Sequence, residues 1–506
     1  MDNGLLLAID QGTTGTKVLL LDCRQAVVSQ SYRKHAQYYP QPGWVEHDPL
    51  DIWEQVKLAV AEALDGAAID PASIAAVGLA GQGETALFWD RRTGEPLCRA
   101  VVWSCKRSAT LADSWRHDAD WPERVIAKTG LPIDPYYSAT KIRWMAGEVP
   151  AVRRGIEEGT AVCGTLDSWL IWQMTGGRSF VTDVSTAART QLFHIGSLQW
   201  DEEILAYWRI DRQWLPEVLD STGDFGMTDA QALCGIRSPI KVSLVDQPAA
   251  LYGQNCIRPG TASCTYGTGC FVYANIGGEL PATRDAAIST TVAWTGNGRI
   301  AYALDGAVLA AGSAIEWACQ AAGLFADLTQ LQRWSERWVD EWNASATDRE
   351  TPLFIPSLNG LGAPYWNGET RGVFVGLSFR TDREQMAKAV LEGIAHRVAD
   401  VLDHMQRLSG FPLLRLQVGG GLAANPYLMQ FQADILNVPL EVPAMTEMTA
   451  FGVGMLLGEC CGYWSAGERA TPLAQSSRIY TPRASSRYRA EQRERWQHVI
   501  RIVNTM

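Results

Sequence analysis

The chain has 506 residues, of which 47% are hydrophobic and 20% are charged, a composition typical of a compact, soluble protein with two or more domains. The net charge of −11 argues against nucleic acid or an anionic membrane as its main partner. No run reaches the ~18 apolar residues of a membrane span, and the eleven cysteines lack Cys-x-x-Cys or zinc-site spacing, so a cytoplasmic protein with reduced thiols is predicted.

The first predicted element is a buried strand, Leu5–Ile9, which ends in Asp10, passes through a Gly/Thr-rich turn and continues as a second apolar strand. Glycines permit close backbone approach, so successive amides of such a turn can surround an anion. Thr13 and Thr14 add hydroxyl donors, and Lys17 adds a positive charge. Asp10 supplies a carboxylate that can hold hydrated Mg²⁺. The pattern suits the terminal phosphates of a nucleotide, but taken alone it is equally typical of a tight β-hairpin.

A helix and a strand pair are predicted next. Asp48 can cap the helix and Pro49 suits its first turn, after which apolar residues recur at helical spacing. The apolar segment Ile74–Leu79 predicts a strand that ends at the loop Gly81–Thr85, and Ala86–Trp89 is expected to resume it. Loops at strand ends are where open α/β sheets bind ligands.

An acid follows another apolar segment in the middle of the chain. Ile240–Val245 ends in Asp246, and Gln247 begins a helix-like run. A carboxylate at the end of a strand can serve as a base in a ligand site at that edge of the sheet, which makes Asp246 a candidate site residue. The same position also fits a helix N-cap without any catalytic role.

A second Gly/Thr-rich turn, Gly267–Gly269, again joins an extended segment to an apolar strand. Neither turn fits the Gly-x-x-x-x-Gly-Lys-Ser/Thr loop or a Gly-x-Gly-x-x-Gly pattern that opens a helix. A third cluster, Gly419–Gly421, ends another apolar strand; its bare backbone can lie against an adenosine or serve only as a helix-packing turn. Two phosphate turns that face each other across a cleft can grip a triphosphate from both sides, so the three elements together predict a nucleotide site.

Further ordered motifs are shared with a known family: Pro42–Pro49, Asp134–Lys141, Asp167–Trp172, Asp246–Gln247, Gly360–Trp366 and Leu428–Gln432. With the turns above, they make the chain resemble the FGGY carbohydrate kinases nearly end to end, and within them the glycerol kinases most closely, with xylulokinases as more distant relatives. The resemblance implies an α/β fold of two actin-like, ribonuclease-H-like domains hinged around a cleft for ATP and sugar. The boundary is predicted at the turn Arg258–Gly260, which gives domains of residues 1–256 and 257–506.

The resemblance also implies roles for individual residues. Asp246 is the base that accepts the substrate hydroxyl proton, and Asp10 is the Mg²⁺ ligand. The polyol pocket comprises Gln82, Gly83, Glu84, Trp103, Tyr136, Asp246, Gln247 and Phe271. ATP is bound by Thr13, Thr14, Lys17, Thr268, Gly269, Gly312, Glu316, Gly421 and Asn425. Carboxylate and phenol groups bind hydroxyls while aromatic faces cover carbon-bound hydrogens, although the aromatic residues of this set also fit simple core packing.

Three residues depart from the glycerol kinase pattern. Gly83 stands where those enzymes usually have an arginine that binds glycerol oxygens, and loss of one charge-assisted hydrogen bond costs ~1.5–3 kcal/mol. The glycine is also expected to leave room for a longer polyol or a ketose. Lys17 replaces an arginine, so it keeps the charge but loses the bidentate fork. Glu316 stands where glutamine is frequent, and the chain also lacks the Met-His-Gly loop of xylulokinases.

The predicted function is transfer of the γ-phosphoryl group of ATP to glycerol or a related small polyol, with a pentulose such as D-xylulose as the alternative acceptor. An actin-like ATPase without sugar kinase activity would keep both phosphate turns but would need no polyol pocket. A regulatory protein that binds sugar without phosphorylating it would not need Asp10 and Asp246. The resemblance also implies self-association, as a homodimer or a homotetramer.

Overall fold

Two large mixed sheets organise the computed structural model, which describes residues 4–118, 120–341, 351–465 and 477–505. The strands of the N-terminal sheet, in spatial order, are Ile240–Val245, Ile74–Gly81, Leu5–Gln11, Gly15–Leu21 and Val27–Lys34. Those of the C-terminal sheet are Ser289–Gly296, Arg299–Val308, Cys270–Gly277, Thr261–Tyr266, Arg415–Gly419, Leu440–Val442 and Arg478–Tyr480.

The two sheets share the local arrangement around their phosphate turns. Leu5–Gln11 forms an antiparallel hairpin with Gly15–Leu21 and lies parallel to Ile74–Gly81 on its other side. Thr261–Tyr266 likewise forms a hairpin with Cys270–Gly277 and lies parallel to Arg415–Gly419. Each predicted turn is therefore a hairpin tip at the end of a sheet, and phosphate binding at these tips stays a prediction.

Smaller strand groups and the helices complete the fold. A second five-stranded sheet contains Gln37–Tyr38, Glu46–His47, Ala100–Val101, Ala86–Asp90 and Ala161–Thr165, and three short pairs join Val181–Asp183 to Glu217–Leu219, Phe193–His194 to Gln199–Trp200 and Leu353–Ile355 to Val373–Val375. The α-helices are Pro49–Asp65, Ala109–Arg116, Trp121–Thr129, Ser138–Glu148, Pro150–Glu157, Leu166–Met174, Val184–Ala187, Glu202–Trp208, Asp246–Gly253, Gly312–Gln320, Leu328–Asp340, Arg383–Ser409, Pro426–Leu436, Met448–Cys460 and Ser486–Asn504. Within the described ranges, none of the helices combines the length and apolarity needed to cross a bilayer.

The predicted start of the first helix is confirmed, whereas one strand prediction is wrong. The Asp48 side chain accepts a hydrogen bond of 3.0 Å from the Leu50 amide, and Pro49 is the first helical residue. The segment Ala86–Trp89 does not resume the strand Ile74–Gly81, because it pairs with Ala161–Thr165 in the separate five-stranded sheet. The short loop between the two strands therefore carries the chain from one sheet to another.

Both faces of the N-terminal sheet are covered by helices, and one of these comes from the far end of the chain. Pro49–Asp65 packs on one face, where it buries Leu7 and Ile9. Met448–Cys460 packs on the other face, in one apolar cluster with Leu6 and Val242. The boundary at 256/257 stays a prediction, but a helix of the second half belongs to the packing of the first sheet.

Glycines allow that helix to cross the helix Asp246–Gly253 closely. A Cβ atom added at Gly452 would lie 1.9 Å from the Ala249 carbonyl oxygen, and one added at Gly253 would lie 2.1 Å from the Met448 carbonyl oxygen. Real side chains do not approach backbone this closely, so both positions require glycine. The crossing fixes the helix that begins at Asp246.

Gly452→Ala is therefore expected to destabilise the protein, because the added methyl group has to push the two helices apart. Overpacking of a closed interface typically costs about 1–3 kcal/mol. Differential scanning calorimetry should show a lower melting temperature than wild type. Gly147→Ala is the matched control, since its Cβ would meet only the mobile end of Arg143 at 3.4 Å within the helix Ser138–Glu148. Equal melting temperatures for the two variants would contradict the tight crossing.

Candidate active site

A cavity of about 170 Å³ lies between elements of both halves of the chain, lined by Thr13, Gln82, Glu84, Trp103, Tyr136, Val245, Asp246, Gln247, Phe271, Tyr273 and Asp305. The structure thus brings together every residue predicted for the polyol pocket except Gly83. It also places Thr13, predicted for the nucleotide, on the same cavity wall. A cavity of about 150 Å³ accommodates benzene, so this one suits a ligand of about six non-hydrogen atoms.

Asp246 is the first residue of its helix, and its carboxylate faces this cavity. Val245 occupies the N-cap position of this helix, so Asp246 is not its N-cap residue. One carboxylate oxygen accepts a hydrogen bond of 2.7 Å from the Gln247 amide. Burial, followed by the nearby Glu84 carboxylate, raises the pKa of Asp246 to about 7. A base with a pKa near neutrality is well matched to accepting a hydroxyl proton.

Asp10 lies at the end of its strand beside the first phosphate turn. Its Oδ1 atom is buried and has no hydrogen-bond partner among the residues that the structure describes. Burial, then the charges of Asp246 and Glu447, raises the pKa of Asp10 to about 8, while Lys17 opposes the shift. An orphaned carboxylate oxygen near other carboxylates fits a divalent cation, and Mg²⁺ typically takes one or two carboxylates, with phosphate and water oxygens as its other ligands.

Lys17 does not project freely toward the turn. Its Nζ atom lies 3.0 Å from Glu447 Oε1, and the pair links the first strand hairpin to the loop before the helix Met448–Cys460. Among the described residues, no group of three or more His, Cys, Asp or Glu side chains forms a ready metal cluster. A metal at Asp10 would therefore take its other ligands from phosphate and water oxygens.

A chain of hydrogen bonds ties the polyol wall to the first phosphate turn. Trp103 donates its indole N–H to the Thr13 hydroxyl at 2.9 Å. The Trp103 amide donates to Thr85 Oγ1 at 3.2 Å, and that hydroxyl in turn donates to Gln82 Oε1 at 2.7 Å. The Gln82 amide group donates to Gln11 Oε1 at 3.1 Å, so its polar atoms are used within the protein. The amide nitrogen and oxygen of Gln82 thus bind other residues, and its main contribution is to the shape of the cavity wall.

The aromatic residues of the pocket form walls of the cavity and are not simple core. Trp103 and Tyr136 meet edge to face with ring centroids 5.5 Å apart. Phe271 is 37% exposed and approaches from the C-terminal sheet, directly after the second phosphate turn. Indole, phenol and phenyl faces therefore surround a cavity whose polar groups include three carboxylates, an arrangement suited to a compact polyol.

A buried arginine that the sequence analysis missed stands behind this pocket. Arg189 donates from Nε to Glu84 Oε1 at 2.6 Å and from Nη2 to Asp305 Oδ2 at 3.0 Å, and only 1% of its side chain is exposed. Burial raises the pKa of Glu84, and the Arg189 charge opposes this shift. The guanidinium also lies against the rings of Tyr136 and Tyr137, 5.9 and 5.3 Å from their centroids.

The expectation that Gly83 leaves room for a larger substrate is wrong. A Cβ atom at Gly83 would lie 3.0 Å from Val245 Cγ1 and 3.2 Å from Arg189 Cγ. The direction in which a side chain would point is therefore already filled, and Gly83 itself does not line the cavity. The guanidinium group that position 83 lacks is present nearby, on a residue from another part of the chain.

The second phosphate turn rests on the start of the helix Gly312–Gln320. The Gly312 amide donates to the Gly267 carbonyl at 2.9 Å, and the Ser313 hydroxyl donates to the Thr268 carbonyl at 3.1 Å. A Cβ at Gly312 would lie 2.6 Å from the Gly267 carbonyl oxygen, so this contact requires glycine. Thr268 at the tip is exposed, with Gly269 beside it closing the hairpin through its carbonyl at 2.8 Å from the Gly267 amide.

The remaining residues predicted for the nucleotide fall into two groups. Gly421 opens a 3₁₀ turn with free space around it, while Thr14 and Glu316 are exposed, so all three are accessible to a ligand. Asn425 is instead engaged within the protein. It caps the helix Pro426–Leu436 through the Leu428 amide at 2.9 Å and donates to Ser335 Oγ at 2.8 Å. These bonds use one N–H and one lone pair of the side-chain amide, which therefore keeps a second N–H for another acceptor.

Comparison with known proteins agrees with this geometry. The sequence model of the N-terminal domain of the FGGY family of carbohydrate kinases matches residues 5–253, and the family's C-terminal sequence model matches residues 262–458. Glycerol kinase 2 of Thermotoga maritima is 40% identical over 495 residues, which cover 98% of each chain. The crystal structure of Plasmodium falciparum glycerol kinase with ADP gives a TM-score of 0.90 at 30% identity and covers 99% of this chain and 98% of that one. The "xyloylose kinase" of Brucella ovis gives a TM-score of 0.87 at 24% identity over 99% of each chain, which shows the fold alone.

These matches confirm the predicted two-domain, actin-like α/β fold and the prediction of an ATP-dependent phosphotransferase. The roles of individual residues, Mg²⁺, the cytoplasmic location and self-association stay predictions. Family models cover most of the chain, and the relative from Thermotoga maritima spans nearly all of it. The chain belongs to the FGGY family of carbohydrate kinases.

Proposed function

We propose that the protein transfers the γ-phosphoryl group of ATP to a hydroxyl of glycerol. The observation that carries the proposal is the 170 Å³ cavity in which Glu84, Tyr136 and Asp246 meet aromatic walls. Glycerol has six non-hydrogen atoms and a pentulose has ten, so the cavity volume favours the smaller acceptor. The similarity to glycerol kinases over the whole chain supports the same choice.

The reaction follows from the positions of these groups. One glycerol hydroxyl faces Asp246, which accepts its proton as the oxygen attacks the γ-phosphorus and the bond from this phosphorus to the bridging oxygen breaks, so that ADP leaves. Glu84 and Tyr136 bind the remaining hydroxyls, while Trp103 and Phe271 cover the carbon-bound hydrogens and exclude water. Asp10 would hold Mg²⁺, which when bound supplies positive charge beside the phosphates. Because residues of both halves line the cavity, closure of the cleft would bring acceptor and phosphate together.

A substrate comparison tests the proposal. ADP release is measured in a coupled assay with glycerol, erythritol, dihydroxyacetone, D-xylulose and D-ribulose, and saturable turnover with the highest kcat/KM is expected for glycerol. Turnover with a pentulose but not with glycerol would overturn the acceptor and leave the family unchanged. ATP hydrolysis indifferent to every acceptor would indicate an actin-like ATPase, and acceptor binding in calorimetry without ATP consumption would indicate a regulatory protein.

The pH dependence of kcat/KM for glycerol is expected to show an acid limb. Only the ionised Asp246 can accept a proton, and its folded-state pKa is raised to about 7, so activity is present above this value and falls as pH drops through it. A bound cation favours the ionised form, which moves the midpoint toward the ordinary value of an aspartate, about 4. A profile measured between pH 8 and pH 4 should therefore decline toward the acid end, and a profile that rises toward pH 4 would contradict the role of Asp246.

A further inference from the structure

One carboxylate on the cavity wall has no assigned role. Asp305 lies on the strand Arg299–Val308 of the C-terminal sheet, directly opposite Tyr273 in the strand register. The cavity is lined by three carboxylates, of which Glu84 and Asp246 come from the first half of the chain and Asp305 comes from the second. Its side chain is 14% exposed, so it is accessible from the cavity but largely shielded from bulk solvent.

Asp305 is held in place and still has hydrogen-bonding capacity to spare. Its Oδ2 atom accepts from Arg189 Nη2 at 3.0 Å, whereas Oδ1 accepts no hydrogen bond from any residue in the described part of the chain. An ionised carboxylate accepts hydrogen bonds at both oxygens and donates none, so the second oxygen can accept from a hydroxyl in the cavity. A partly exposed acceptor on the wall of a polyol cavity is thus placed to bind a substrate hydroxyl.

Arg189 holds Asp305 and Glu84 close to each other on the cavity wall. Its Nε atom binds Glu84 and its Nη2 atom binds Asp305, and the guanidinium plane is rigid. The third nitrogen, Nη1, is buried and has no hydrogen-bond partner among the described residues. The two carboxylates are therefore presented as a pair of acceptors from opposite halves of the protein. A ligand that satisfies both, and presents a third hydroxyl to Asp246, needs at least three hydroxyl groups.

We propose that Asp305 is a specificity-determining residue, which binds the substrate hydroxyl farthest from the one that is phosphorylated, and that Arg189 positions it. The inference rests on the proposed phosphorylation of glycerol and deepens it. Glu84 and Asp305 together select polyols with donor groups at both positions, and they disfavour diols that lack the distal hydroxyl. Loss of a hydrogen bond to a charged group corresponds to ~10–150-fold in affinity.

Propane-1,2-diol, which is glycerol without one terminal hydroxyl, provides the test. In the wild type, kcat/KM for glycerol should exceed that for propane-1,2-diol by at least ~10-fold. Asp305→Asn keeps the size of the side chain and an oxygen for Arg189 but removes the charge, so it should lower kcat/KM for glycerol and leave that for propane-1,2-diol nearly unchanged. Asp285→Asn is the matched control, because Asp285 pairs with His404 outside the cavity, and it should leave the ratio as in the wild type.

The outcomes separate this inference from the function on which it rests. If the wild type does not phosphorylate glycerol, the proposed function fails whatever Asp305 does. If it does, an equal fall of kcat/KM for both acceptors in Asp305→Asn would indicate a structural role and overturn the inference. Equal wild-type kcat/KM for glycerol and propane-1,2-diol would also overturn the inference, because that result would show that the distal hydroxyl is not bound, and it does not depend on whether the variant folds.

Discussion

Asp246→Asn is expected to lower kcat by ~10²–10⁴ while the protein remains folded, because an amide of the same shape cannot take up the substrate proton. The reduction should appear in kcat at saturating glycerol and MgATP, with little change in KM, since the side chain acts on the proton in the transition state. The carboxylate lies on the cavity wall and accepts the Gln247 amide, a bond that an asparagine oxygen can retain.

The control for this variant is Asp70→Asn. Asp70 caps the short 3₁₀ turn Pro71–Ser73 through the Ala72 amide, away from the cavity. We expect its kcat to stay within about twofold of the wild type, since Asp70 does not line the cavity and asparagine caps a helix about as well as aspartate. Calorimetric melting temperatures establish that both variants are folded. An Asp246→Asn enzyme within tenfold of wild-type kcat would exclude Asp246 as the base.

Arg189→Met is expected to lower the free energy of unfolding by about 3–5 kcal/mol, because removal of one partner leaves buried charges uncompensated. Glu84 is only 5% exposed, and both it and Asp305 lose the guanidinium that they share. Methionine fills much of the space of the arginine side chain, so the loss of stability comes mainly from electrostatics and less from packing. Urea unfolding followed by tryptophan fluorescence measures it.

A second substitution separates lost charge from lost shape. In Arg189→Met/Glu84→Gln the neutral amide no longer needs a counter-charge, so part of the stability should return while activity does not. Arg33→Met provides the matched control, because Arg33 pairs with Glu62 at 2.9 Å on the surface, where such pairs contribute about 0–1 kcal/mol. Equal unfolding midpoints for Arg189→Met and Arg33→Met would show that the buried pair contributes no more than the exposed one.

Features that depend on neighbouring residues could be predicted from the sequence. The helix that starts at Asp48 and Pro49 shows its cap and its periodicity within a few residues, and the hydrogen bond to Leu50 follows from them. Gly/Thr-rich turns between apolar strands are equally local, so the two hairpins are recognisable. The resemblance to a known family predicted most of the pocket residues, because the shared motifs contain residues that the fold brings together.

Features that depend on distant pairing could not be predicted in the same way. Arg189 meets Glu84 from 105 residues away and Asp305 from 116, and its own surroundings in the sequence carry no signal of a ligand site. The occupied space beside Gly83 has the same origin, since Val245 and Arg189, both distant in sequence, fill it. The sequence does carry one signal for Asp305. It is the one charged residue between Ile300 and Val308 in an apolar strand, where an unpaired acid would be unfavourable.

The helix Met448–Cys460 makes the two lobes mutually dependent. A fragment severed near residue 256 would leave the apolar cluster around Leu6 and Val242 without its cover, and such a patch promotes aggregation. The complementary fragment would carry the helix Met448–Cys460 without the helix Asp246–Gly253 that it crosses at its glycines. We therefore expect a mixture of the two fragments to form a soluble complex only when this helix is included. A gene fusion or circular permutation likewise has to leave the helix able to pack on the N-terminal sheet.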